Sequence, residues 1–132
     1  MTAVLDVSAS IEILLCKEKQ NLFGKVYEEA SWIIAPDLYV PEITNVLWKY
    51  YKAGMIPYAD CIQFAEDGID MIDDFFDSRE LWKEALGEGM KTGRSVYDLY
   101  YAVLARRNEA ALLTRDQALV QLATAMKIEV IS

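Results

Sequence analysis

Apolar residues are distributed along this chain in two ways. Some form short uninterrupted runs, which suit strands buried on both faces; others recur every three or four positions, which suits helices with one buried stripe. Thr2–Leu5 is the first short run, and it stops at Asp6. Ser8 or Ser10 then offers a cap for a helix with Ile11, Leu14 and Leu15 on one face. Glu18–Ser31 reads as a helix with Leu22, Val26 and Ala30 in line, and Trp32–Ala35 as a second strand ended by Pro36-Asp37. A long helix begins near Pro41, carries Ile43, Val46, Leu47 and Tyr50, and ends at Gly54. Pro57–Glu66 is a further helix, and Ile69–Ile72 is expected to be a third strand although Asp70 interrupts it. Ser78–Met90 reads as a helix with Leu81, Ala85 and Leu86 inward and Gly93 beyond its end. Ser95–Arg106 is a nearly all-apolar helix, expected to be buried on most sides. Ala110–Leu113 forms a strand, Gln117–Ala125 a helix and Ile128–Ile131 a last strand.

Short buried strands alternating with amphipathic helices predict an α/β fold with a parallel sheet covered on both faces. The 132 residues fit one domain spanning 1–132, with no linker, repeat or low-complexity tract. No apolar run approaches the ~18 residues of a membrane span, and the N-terminus lacks the basic segment of a signal peptide. Cys16 and Cys61 lie far apart and form no CxxC motif, so both read as small buried hydrophobes in a reduced, cytoplasmic setting.

Charge narrows the chemistry. Thirteen Lys and Arg against 21 Asp and Glu give a net charge of −8, and there is no histidine. Nucleophile systems built on His and His-ligated zinc are excluded, and a global basic field for nucleic acid is absent. An acidic site that binds cations, which in turn meet phosphate, remains open.

Four acids stand out by position. Asp6 follows the first strand, Glu42 comes soon after the second, Asp116 follows the strand Ala110–Leu113, and Asp98 interrupts the most apolar helix. Sites in open parallel sheets lie beyond the carboxyl ends of the strands. Singly, each acid has a local explanation: Asp6 and Asp116 as helix caps, Glu42 in a first helical turn, Asp98 in a capping box with Ser95. Together, carboxylates drawn to one point need a cation. Hard oxygen ligands without His suit Mg2+ or Mn2+ and metal-assisted phosphodiester hydrolysis.

At these residues the sequence resembles the PIN-domain family, and most of all the VapC-like ribonuclease toxins of bacterial type II toxin–antitoxin pairs. The resemblance rests on VLDVSASIEILL, on APDLYVPEITNVLWKYYKAG, and on SVYDLYYAVLARRNEAALLTRD followed by IEVIS. It implies a PIN-like three-layer α/β/α sandwich with a five-stranded parallel sheet. It also implies that Asp6, Glu42, Asp98 and Asp116 form the catalytic quartet that binds Mg2+ or Mn2+. Ser8, Asn45 and Thr114 match polar positions that orient carboxylates or waters. A homodimer is implied, as is a groove for an antitoxin's C-terminal segment, which exposed aromatics such as Phe75 and Phe76 would suit.

RNA held by so acidic a chain needs local basic residues. Lys49 and Lys52 continue the helix face of Glu42 and Asn45, and Arg94, Arg106, Arg107 and Arg115 lie near the other acids in sequence. The other readings are an RNA-processing nuclease without an antitoxin and a non-catalytic module that binds a basic peptide. A phosphoaspartyl receiver would need an early acidic pair and a late Lys, and a haloacid-dehalogenase-like phosphatase Asp-x-Asp; neither fits. The acids of Glu66–Asp77 are expected to be solvated surface.

Overall fold

The computed structural model describes residues 1–132. Strands β1 (Thr2–Leu5), β2 (Trp32–Pro36), β3 (Asp74–Phe76), β4 (Ala111–Leu113) and β5 (Val130–Ile131) form one parallel sheet in the order β3-β2-β1-β4-β5. Each crossover carries at least one helix, as parallel pairing requires. α1 (Val7–Leu14) and α2 (Gln20–Glu29) join β1 to β2; α3 (Tyr39–Lys52) and α4 (Tyr58–Asp70) join β2 to β3. α5 (Ser78–Thr92) and α6 (Val96–Arg107) lead to β4, and α7 (Gln117–Ala125) leads to β5. No helix is long and apolar enough to cross a membrane.

Side chains alternate across a strand, so each strand feeds two cores. Ala3, Leu5, Ile33, Ala35, Ala111 and Leu113 pack with Ile11, Phe23, Ile43 and Leu47 on one side. Val4, Ile34 and Leu112 pack with Leu81, Leu99, Val103, Leu119 and Leu122 on the other. The result is the three-layer α/β/α arrangement expected from the pattern. It also explains why β1, β2 and β4 read as unbroken apolar runs: they are buried on both faces of the sheet.

Four local expectations fail. The third strand is Asp74–Phe76, not Ile69–Ile72. Ile69 and Asp70 complete α4, because Gly68 lets that helix approach α3 so closely that a Cβ at Gly68 would lie 2.3 Å from Ile43 Cδ1. In α2 the buried residue is Phe23 and Leu22 is exposed; in α5, Leu86 is exposed. Cys16 is exposed, in a turn with φ of 52°, and Cys61 is half-buried, both with free thiols.

The acids of Glu66–Asp77 lie at the surface as expected, and some of them also make local bonds. Asp73 Oδ2 accepts the Ile33 N–H (2.8 Å) and Asp74 Oδ2 accepts Trp32 Nε1–H (2.7 Å), so both secure the edge strand β3. Asp77 caps α5 by accepting the Arg79 N–H at 2.8 Å. Phe75 and Phe76 belong to β3, where their rings pack 5.8 Å from Tyr39 and 6.0 Å from Trp32.

Tyr39 ties the helices of one layer together. Its ring is fully buried, and its hydroxyl lies 2.8 Å from Ser10 Oγ and 2.7 Å from the Gly68 carbonyl. That carbonyl is an orphan of the last turn of α4, since the Ile72 N–H bonds to Ile69 instead. Tyr39→Phe leaves the carbonyl buried without a donor and is expected to lower stability by about 1–3 kcal/mol. Urea unfolding monitored by circular dichroism measures this; an unchanged midpoint would contradict the assigned role.

Candidate active site

Strand order reverses between β1 and β4, and their carboxyl ends diverge into the crevice where ligands of such sheets bind. A cleft of about 570 Å³ opens there. Asp6, Glu42, Asp98 and Asp116 all line it, brought from the β1–α1 junction, the first turn of α3, the first turn of α6 and the β4–α7 junction. Ser8, Asn45, Lys49 and Arg115 line it too.

Asp6 is the most constrained of the four, at 6% exposure. Oδ1 caps α1 by accepting the Ala9 N–H (2.9 Å) and also accepts the Ser8 hydroxyl (2.7 Å). Oδ2 accepts the Thr114 hydroxyl. Thr114 Oγ1 in turn accepts the Asp116 N–H (3.0 Å), and Ser8 Oγ accepts the Arg115 N–H (2.8 Å). The two hydroxyls thus lock the β4–α7 turn onto the β1–α1 turn. Asp116 caps α7 through the Ala118 and Leu119 N–H groups. The capping explanations for Asp6 and Asp116 therefore hold alongside their place in the cleft. For Asp98 the local explanation fails, since Ser95 makes no side-chain cap bond.

The electrostatics of the cleft are strained. Burial pushes the Asp6 carboxyl up to about 6, against its three hydrogen bonds and with help from the nearby charge of Asp116. Burial raises Glu42, and Asp98 and Asp116 add to the effect while the Tyr101 hydroxyl opposes it. Burial and then Asp116 raise Asp98, and Arg94 opposes them. None of the four acids has a Lys or Arg partner within 4.0 Å. Unpaired hard oxygen donors with up-shifted carboxyls are what a divalent cation relieves, and they suit Mg2+ or Mn2+. As the side chains stand, no three of them close on one point by direct ligation.

Three cleft residues escaped the sequence reading. The Tyr101 hydroxyl donates to Glu42 Oε1 at 2.5 Å, one turn along α6 from Asp98. Glu12 is buried at 3% exposure and pairs with Arg115 at 2.7 Å. Lys17 lines the cleft and donates to the Tyr50 hydroxyl at 2.8 Å. Glu12 carried a usable signal, an acid inside an apolar helix, the same signal that marked Asp98. Among the basic candidates, Lys52 lies outside the lining, with Nζ 5.1 Å from the Trp48 ring. Arg94 also lies outside it but near enough to act on Asp98. Arg106 and Arg107 pair with Glu84, and Arg106 also with Glu88, bracing α6 against α5.

Fold and cleft together define a three-layer α/β/α protein, a five-stranded parallel sheet between helical layers with acids gathered at its switch point, the arrangement that the resemblance to the PIN-domain family implies. The chain is similar to Ribonuclease VapC3 of Pyrobaculum aerophilum, 27% identical over 127 residues that cover 92% of this chain and 94% of the relative. The crystal structure of PAE2754 from Pyrobaculum aerophilum matches with a TM-score of 0.77 at 20% identity, covering 98% of this chain and 83% of the other; that likeness concerns the fold. No protein-family profile matches the chain. The VapC-like resemblance of the three sequence segments stands with these findings.

Asp6 gives a pH prediction. Its folded carboxyl titrates near 6, above the ordinary 3.8, so between those values the folded chain holds a proton that the unfolded chain has released. Without divalent cations, this contribution to stability is complete below pH ~4 and lost as pH rises through 6, on the order of 3 kcal/mol. Asp6→Asn should therefore gain stability relative to wild type across that window, while the two converge in acid. Thermal melts in EDTA from pH 4 to 7 test this; parallel curves would rule out a strongly raised Asp6.

Proposed function

We propose that the chain is a metal-dependent endoribonuclease acting as the toxin of a toxin–antitoxin pair. The observation that carries this reading is the convergence of four unpaired carboxylates from four different elements on one cleft, in a chain similar to Ribonuclease VapC3. The cleft has its own cations for a phosphate chain, Lys17, Lys49 and Arg115, despite the net charge of −8.

Asp6, Glu42, Asp98 and Asp116 would hold Mg2+ or Mn2+, which when bound lowers the pKa of water and offsets charge on the phosphodiester. Ser8 and Thr114 fix both oxygens of Asp6. Tyr101 fixes Glu42, and Asn45 adds an uncharged donor to the wall. Lys17, Lys49 and Arg115 hold phosphates of the RNA strand. With no histidine in the chain, proton transfer falls to the carboxylates and to water. The antitoxin would meet the same cleft, where a basic side chain competes for the acids. A homodimer and a cytoplasmic setting belong to the same reading.

Purified protein should cleave single-stranded RNA with Mg2+ or Mn2+ and stop with EDTA. Asp98→Asn and Asp6→Asn should each lose at least about 100-fold in rate, and Tyr101→Phe and Thr114→Val about 10-fold or more, as is usual for residues that orient metal ligands. Unchanged cleavage by Asp98→Asn would sink the assigned site. Expression in a bacterium should arrest growth, and the toxin reading requires a neighbouring gene for a small DNA-binding protein whose co-expression restores growth. Cleavage without arrest would instead favour an RNA-processing nuclease.

A further inference from the structure

We propose that Glu12 is a positioning residue that holds the Arg115 guanidinium on the wall of the cleft, ready to meet a phosphate of the RNA strand. This rests on the ribonuclease reading of the cleft.

Glu12 lies on the inward side of α1 at 3% exposure, where a carboxylate is costly without partners. It has two, both on Oε1: the Lys19 N–H at 3.0 Å and Arg115 Nη1 at 2.7 Å. Glu18 Oε2 stands further from the same guanidinium, at 3.8 Å. The backbone of Arg115 is held as well, through its N–H to Ser8 Oγ. Both ends of a long side chain are thereby fixed beside the quartet.

The other face of Arg115 is free. Nη1 takes part in ion pairs, while Nε and Nη2 have no protein acceptor, and the side chain is 38% exposed in the cleft lining. Arg106 and Arg107 differ in place, since they lie outside the cleft lining and are tied to Glu84, Glu88 and the Glu80 carbonyl of α5. A guanidinium fixed in advance loses less conformational entropy when it binds, and its planar fork matches phosphate. Glu12 thus does more than neutralise a charge: it keeps Arg115 extended and aimed.

Glu12→Gln keeps the shape and an acceptor for the Lys19 N–H but removes the charge that holds Arg115. The expected result is a KM for single-stranded RNA raised about tenfold, with kcat within about twofold. Arg115→Ala should match it, and the double variant should be no worse than Arg115→Ala alone. The salt dependence of RNA binding should flatten by about 0.7 in log–log slope in Arg115→Ala. A Glu12→Gln loss that persists in full in the Arg115→Ala background, or one that falls on kcat, overturns the proposal.

The clamp is also read without RNA. Guanidinium nitrogen resonances of Arg115 should show hindered rotation in the wild type and averaged signals in Glu12→Gln; averaged signals in both overturn it. Wild-type protein that neither binds nor cuts RNA, with Arg115 still hindered, removes the ribonuclease reading and the phosphate role while leaving the clamp.

Discussion

The Asp6 carboxylate is the joint on which the structure turns. It ends β1, caps α1 and receives Ser8 and Thr114, while its own N–H bonds to the Leu113 carbonyl at 3.2 Å. Its main-chain oxygen accepts the Ser10 N–H and hydroxyl, and Ser10 leads to Tyr39 and the end of α4. One buried acid thus connects the two central strands, the first helix and the helical layer on one face. Burial raises its pKa, and hydrogen bonding does not cancel the effect. Structural connection and electrostatic strain sit on the same atoms.

That strain follows from the architecture. A parallel sheet covered on both faces has no room for charge except at strand ends. Acids that follow β1, β2 and β4 are forced toward one edge, and Asp98 is carried there by a helix buried along most of its length. Other acids are relieved locally: Glu84 and Glu88 by arginines, Asp77 by Arg79, Asp73 and Asp74 by N–H groups of β2. Asp6, Glu42, Asp98 and Asp116 are left without cationic partners although Lys17, Lys49 and Arg115 share their cleft. Uncompensated negative charge is therefore concentrated in a cleft that three basic side chains also line.

Most of the fold was readable in advance. The strand at Thr2–Leu5 and the helix at Gln117–Ala125 coincide with their predicted spans, and Gly93, expected beyond the end of α5, terminates it in a left-handed conformation. The third strand was missed because apolar Ile69–Ile72 outweighed acidic Asp74–Phe76 in a local window. An edge strand tolerates charge that an inner strand would not, and Asp73 and Asp74 bond to β2 while staying exposed. Leu81 and Ala85 of α5 and Val26 and Ala30 of α2 face inward as expected, and only the flanking Leu22 and Leu86 turn outward. A shift of one residue rotates a helix by 100°, and only packing decides which flank faces inward.

Local sequence sufficed for the alternation of strands and helices, for two-faced burial of the sheet, and for the placement of acids at strand ends. These follow from apolar period and from the cost of burying charge, both properties of short windows. Partnership needed the tertiary structure. Thr114 reaches Asp6 across 108 positions, Arg115 reaches Glu12 across 103, and Tyr101 reaches Glu42 across 59. No periodicity carries such distances. They are set by strand order and by the turn of each helix about its axis, which also decided that Lys49 faces the cleft while Lys52, three residues later, does not.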